Sequence, residues 1–261
     1  MEDFFTLSLL ILMAAAFVAG FIDAIAGGGG LITVPALLLA GIPPVEALAT
    51  NKLQAIFGSG SAAYTYASNG YVNLKKQLPS AIACMFGAAI GAFTAMRIPS
   101  TYLEAALPVV LIGIAIFFTL KHQLGDADRI QVLGAFTIGF FVAPLIGFYD
   151  GVFGPGTGSF YMIAFVSLAG YGMVKATAHT KLLNFSSSLG GLIVFAMFGA
   201  VLWKTGLMMG IGQALGARLG AAVAMRKGSA VIKPLLVIAC VLLAIKLLAD
   251  PANPIRVAIG F

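Results

Sequence analysis

Charge is scarce in this sequence: Lys, Arg, Asp and Glu make up only 9% of its 261 residues, against about 25% in an ordinary soluble domain. With 61% of the chain apolar, a water-facing fold would lack the polar residues needed to cover its surface. A lipid bilayer must serve as solvent for much of the chain, which reads as an all-α polytopic membrane protein. Cysteine is nearly absent. Cys84 and Cys240 lie inside apolar runs without CxxC spacing, which excludes a disulfide framework and a cysteine metal site and leaves them as core residues. The net charge is +6, but the fifteen Lys and Arg are scattered in ones and twos with no basic stripe, so nucleic acid is not an expected partner. There is no HExxH zinc site, GxSxG elbow or pair of clustered intramembrane aspartates, so neither catalysis nor a cofactor is expected.

Long apolar runs fill the space that charge leaves. At 1.5 Å per residue, about 20 helical residues cross 30 Å of hydrocarbon. Eight segments meet that length: 4–22, 46–67, 79–97, 101–120, 129–149, 175–200, 205–225 and 230–249. The first follows Met1-Glu2-Asp3 rather than a positive n-region and reads as an uncleaved span. Two apolar pieces, 31–41 and 158–170, are too short for an ordinary span, and each follows a glycine-rich break.

Laid on itself, the chain repeats. Gly20-Phe21-Ile22-Asp23 with Gly27 and Gly29 recurs 127 residues on as Gly147-Phe148-Tyr149-Asp150 with Gly154 and Gly156. After a two-residue insertion, Ala47 to Leu53 matches Ala176 to Leu182, placing Lys52 in register with Lys181. Composition alone would match alanine and glycine, but not an Asp and a Lys in a chain this poor in both. The expected organisation is a single transmembrane domain, 1–261, built from repeat 1 (1–125) and repeat 2 (126–261). Duplicated architectures of this kind are typical of secondary transporters, with the site between the repeats at broken helices.

If the short pieces cross, each half makes five crossings and the repeats are inverted. Lys75, Lys76, Lys121, Arg129, Lys175, Arg226, Lys227 and Lys233 then share one side, against Arg97, Lys204, Lys246 and Arg256. If they re-enter without crossing, the repeats are parallel and the split falls to seven against five. The positive-inside rule favours the inverted arrangement with both termini outside.

The four glycines Gly27 to Gly30 are neither a Walker loop, since no Gly-Lys-Ser/Thr closes them, nor a dinucleotide fingerprint, since no strand precedes them. They read either as a helix break at membrane depth or as close helix packing. With their counterpart Gly154, Gly156 and Gly158, a break would point the N-terminal dipole end of the next short helix at an oxyanion through Gly28, Gly29 and Gly30. Lys52 and Lys181, inside the following helices, are candidate anion ligands or snorkelling lysines. Asn51 and Gln54 near one lysine, and Thr180, Asn184 and Ser188 near the other, add donors at helical spacing. Asp23 and Asp150 could couple protons, orient the lysines by ion pairing, or cap the backbone turn. His179 could sense pH or be held by hydrogen bonds in the bundle. Phe21, Phe57, Phe148 and Phe153 could wall a larger substrate. Arg218 could face a cavity or a subunit interface, and the glycines of the seventh long helix would allow close approach within the chain or in a homodimer.

Across these motifs, Gly20 to Gly30, Ala49-Thr50-Asn51-Lys52-Leu53-Gln54, Gly147 to Gly156 and Ala176 to Asn184, the chain resembles the TauE/SafE family of bacterial membrane proteins, most closely its YfcA-like branch. The resemblance covers nearly the whole chain. It implies transport of a small sulfur oxyanion or sulfonate across the bacterial inner membrane, plausibly proton-coupled. The expected partners are that small anion and the lipid bilayer, with both termini periplasmic. A passive anion channel, a carrier of another small organic anion and a non-transporting scaffold are the competing expectations.

Overall fold

The computed structural model describes residues 2–99, 128, 130–134 and 137–228, the side chains of 2–6 excepted. The expected spans 101–120 and 230–249, and Cys240, lie outside these residues. Among the described residues there are eight α-helices and no strand: α1 (Glu2–Ala26), α2 (Gly30–Leu39), α3 (Pro44–Ser68), α4 (Leu74–Arg97), α5 (Ala143–Val152), α6 (Thr157–Ser167), α7 (Met173–Met197) and α8 (Trp203–Lys227). The all-α expectation holds.

Leu7–Ala26 of α1, and α4, α7 and α8, are each long and apolar enough to cross a bilayer. Helix α3 is as long as α7 and α8 but carries Thr50, Asn51, Lys52, Gln54 and Ser59 buried along its length. It tolerates them because α1, α2, α7 and α8 pack around it. Its polar groups therefore find protein partners rather than lipid. The short pieces are helices of 10 and 11 residues, about 15 Å each, half the hydrocarbon thickness.

One expected boundary is corrected. Residues 130–134 are not helical; the amides of Val132 and Leu133 donate to the Leu168 carbonyl at the end of α6. Within the stretch expected to be helical over 129–149, Thr137 is helical and the Ile138 amide donates to the Gly134 carbonyl, and a π-turn, Ile138–Val142, then leads into α5. Pro144 explains the register. It has no amide to offer the carbonyl four residues back, and the Ala143 amide closes the wider loop to Ile138.

Glycines set the helix pairing. Gly212, Gly216 and Gly220 of α8 lie against the carbonyls of Met13, Phe17 and Phe21 on α1, while Gly206 and Gly210 receive Leu53 and Phe57 of α3. The glycine-rich side of α8 is thus filled by α1 and α3 within the chain. Helices α4 and α5 approach in the same manner, Gly147 and Gly151 meeting the carbonyls of Cys84 and Ala88. The outside is apolar: Ile82, Phe86, Ile90 and Phe93 on α4, and Leu207, Ile211, Leu215 and Leu219 on α8, are exposed at one-turn spacing. Large apolar side chains outside and Lys, Asp, Asn and Gln inside reverse the order of a water-soluble protein and match a bilayer-embedded one.

Candidate substrate site at the helix breaks

Helix α1 stops at Ala26 because Gly27 turns the chain at φ +80°, a conformation open to glycine at little cost. A Cβ at Gly27 would collide with the carbonyl carbon of Gly158. Side-chain absence here lets the two breaks touch. The Ser159 amide donates to the Gly27 carbonyl at 2.9 Å, and the Ser159 hydroxyl donates to the Ala26 carbonyl at 2.7 Å. In the second break, Gly154 takes φ +86°, and a Cβ there would stand 2.8 Å from the Lys52 ammonium.

Four ionisable side chains meet at this junction, all nearly sealed: Asp23 is 4% exposed, Asp150 2%, Lys52 1% and Lys181 0%. Their pairing is reciprocal. Lys52 Nζ lies 2.7 Å from Asp150 Oδ1 and also donates to the Asp150 carbonyl. Lys181 Nζ lies 3.2 Å from Asp23 Oδ2 and also donates to the Asp23 carbonyl. Each aspartate additionally holds the start of the short helix that follows it. The Gly29 amide donates to Asp23 Oδ1 at 3.1 Å, and the Thr157 hydroxyl donates to Asp150 Oδ1 at 2.8 Å. Of the roles open to the aspartates, the geometry displays lysine pairing and capping together. A buried charge persists only when paired and hydrogen-bonded, and all four meet that condition.

Between the pairs lies a cavity of about 20 Å3, room for about one water molecule. Its wall includes Asp23, Asp150, Asn51, Asn184, Ser188 and Gln213, with backbone at Gly27, Gly30, Gly154, Gly156, Thr157 and Gly158. Both short helices therefore begin at the cavity and bring their positive dipole ends to it. Asn51 is oriented as a donor. Its Oδ1 already accepts from Thr33 Oγ1 at 2.7 Å and Gln54 Nε2 at 2.8 Å, which leaves the amide nitrogen for the cavity. Gln54 acts through Asn51 and is absent from the wall.

The remaining expected residues separate by position. Gly28 and Gly29 shape the break without lining the cavity. Thr180 turns its hydroxyl back onto the Ala176 carbonyl. His179 stands apart from both lysine–aspartate pairs, its ring against Phe165 and Tyr171 and its carbonyl accepting from Gln77 Nε2 at 2.8 Å. It lines a second cavity of about 330 Å3 between the α3–α4 and α6–α7 connectors, with Tyr71, Lys76, Gln77, Ser80 and Leu183. None of the four phenylalanines lines the central cavity. Arg218 is exposed near Arg226, Thr65 and Asn69, away from the centre. Cys84 is buried, its sulfur 2.7 Å from the Tyr161 hydroxyl.

Gln213 and Thr157 also line the cavity, and neither was among the expected site residues. A lone Gln inside the glycine-rich, apolar α8 was the available signal for the first. Thr157, directly after the Gly-Pro-Gly break, was the signal for the second.

The family model for the sulfite exporter TauE/SafE matches residues 12–247. A Sinorhizobium protein named probable membrane transporter protein ORF9 is 57% identical over 260 residues, covering 100% of both chains. The probable membrane transporter protein YfcA of Escherichia coli K12 is 44% identical over 244 residues, 94% of this chain and 91% of its own. Bacillus subtilis YunE, also named a probable membrane transporter, is 26% identical over 83% of this chain and 89% of its own. No solved structure shows a significant match. A bilayer-facing exterior, a sealed polar junction at paired helix breaks and this full-length similarity agree: the chain belongs to the TauE/SafE family of membrane transporters.

Proposed function

We propose that this protein is a secondary carrier of a small anion, sulfite or an organosulfonate, working by alternating access across the bacterial inner membrane. The observation that carries the proposal is the reciprocal pairing of Lys52 with Asp150 and Lys181 with Asp23 at the two helix breaks. In this reading residues 1–125 and 126–261 are inverted repeats with both termini periplasmic, and the substrate binds where they meet. The cavity wall offers an acceptor-only anion the Asn51 amide and two helix N-termini; Lys52 and Lys181 do not line it and stand behind Asp150 and Asp23, to which they are paired.

The central cavity holds about one water, whereas sulfite has four heavy atoms. A cavity of this size does not admit the anion, so in this reading it enters as one half moves against the other. The test is sulfite flux into proteoliposomes for the wild type, Lys52→Gln and Lys181→Gln under an imposed pH gradient. Saturable flux that follows the gradient and collapses in either folded variant supports the carrier. Flux linear in concentration would replace it with a channel, and an unchanged rate in both variants would remove the lysines from the site.

A further inference from the structure

The two lysine–aspartate pairs differ in one atom. Both carboxylate oxygens of Asp23 are taken, Oδ1 by the Gly29 amide and Oδ2 by Lys181. Asp150 uses only one. Its Oδ1 accepts from Lys52 and from the Thr157 hydroxyl, while Oδ2 is buried, borders the cavity and has no protein hydrogen-bond partner among the described residues. A buried carboxylate oxygen without a protein partner is the one free to take a proton or a solvent molecule from the cavity. The cavity it borders contains a second acceptor in the same condition, Gln213 Oε1.

The geometry points to Asp150 Oδ2 as the site at which a proton binds and makes the centre receptive to an anion, with Asp23 as a structural partner of Lys181. This deepens the carrier reading and rests on it. The groups facing Asp150 are Lys52 from α3, Thr157 and Tyr161 from α6, Cys84 from α4, and Tyr149 on its own helix, with Asp23 and its partner Lys181 across the cavity. Lys52 is the one cation in direct contact with Asp150 among the described residues. With both pairs intact the four charges sum to zero, and an anion entering would be unbalanced in a low-dielectric interior. A proton taken from water forms an O–H bond at Oδ2, the carboxylate becomes a neutral acid, and Lys52 keeps its charge and its bond to the Asp150 carbonyl. The centre then carries one net positive charge, which a monoanion cancels. Proton and anion consequently enter together and travel in the same direction. A sodium ion is the poorer occupant, because the Lys52 ammonium already lies against this carboxylate.

The test uses the purified full chain in detergent and methanesulfonate, a monoanion that does not itself titrate near neutrality. Binding is followed calorimetrically and proton exchange with an indicator dye. The wild type is expected to take up close to one proton per anion bound, with a protonated carboxyl band rising in the infrared difference spectrum. In Asp150→Asn uptake and band vanish, while Asp23→Asn binds more weakly but keeps both. Anion binding by the wild type without proton uptake or band overturns the assignment, and does so even if the variants fail to fold. Loss of the band in Asp23→Asn but not in Asp150→Asn also overturns it. Sodium-dependent binding at constant pH would replace the proton with a metal cation. Failure of both methanesulfonate and sulfite to bind removes the carrier reading itself.

Discussion

Lys52 and Asp150 are 98 residues apart in the chain and 2.7 Å apart in the fold, joined as a sealed ion pair between α3 and the end of α5. The same relation holds between Lys181 and Asp23, so each break is held by a lysine from the opposite half. In the proposed carrier these pairs would tie substrate binding to helix packing, since each holds a lysine of one half against the break of the other.

Removing one partner of such a pair strands a buried charge. Lys52→Gln alone is expected to destabilise the protein by about 3–5 kcal/mol. Lys52→Gln combined with Asp150→Asn leaves two neutral amides and should recover most of that loss without recovering flux. Thermal unfolding in detergent, compared across the two single variants and the double, checks this. A double variant as unstable as the sum of the singles would show that the pair contributes no coupling.

Gly27 and Gly41 share φ +80° but not their surroundings: a Cβ at Gly41 would meet nothing within 4 Å, while one at Gly27 would strike Gly158. Alanine at Gly41 is therefore expected to cost only the left-handed backbone penalty, about 1–2 kcal/mol. Alanine at Gly27 should cost clearly more and abolish transport by forcing the two breaks apart. Equal melting temperatures for the two variants would argue against direct contact between the breaks.

Ser80 borders the 330 Å3 cavity, whereas Cys84, one turn further along α4, is fully buried. In a background lacking both native cysteines, Ser80→Cys should react with a charged, membrane-impermeant maleimide from the cytoplasmic side only, given periplasmic termini. Native Cys84 should resist the same reagent. Labelling of Ser80→Cys from the periplasmic side would invert the proposed orientation.

Asp128 holds the start of α7 from outside: its Oδ1 accepts from the Gly172 amide at 2.7 Å and its Oδ2 pairs with Lys175 at 2.9 Å. The Gly172 amide first, and Lys175 second, hold its carboxyl below the usual carboxylate range. A depressed value means that the tether is complete above the ordinary aspartate range and is lost as pH falls through the folded-state value. Protection of the Gly172 amide, its intrinsic exchange rate at each pH divided by the observed one, should be constant from neutral pH down to about 5 and fall in stronger acid. Asp128→Ala should show the low protection at every pH.

Much of the architecture was legible in the residues themselves. The two short helices fell close to the expected pieces because Gly27 to Gly30 and Gly154 to Gly158 interrupt apolar runs too short to span. Lys52, Lys181, Asp23 and Asp150 stood out because each charge type is rare in this chain and recurs in register. The start of α5 was not legible, since an apolar run around Pro144 does not reveal where the chain leaves the helical register. Gln213 was missed for a related reason: a single amide in a glycine-rich helix carries no periodic signal, and its place at the centre follows from how α8 packs on α1 and α3.

Composition and spacing by themselves determined that this chain lives in a bilayer and picked out Asp23, Lys52, Asp150 and Lys181 as charges that recur in register, because hydrocarbon penalises every unpaired polar group and leaves few places for it. Only the tertiary structure decided which lysine meets which aspartate, that His179 lies outside the centre, and that one Asp150 oxygen finds no protein partner among the described residues. Those outcomes depend on side chains brought into hydrogen-bonding contact from distant parts of the chain, and no local pattern encodes such contacts.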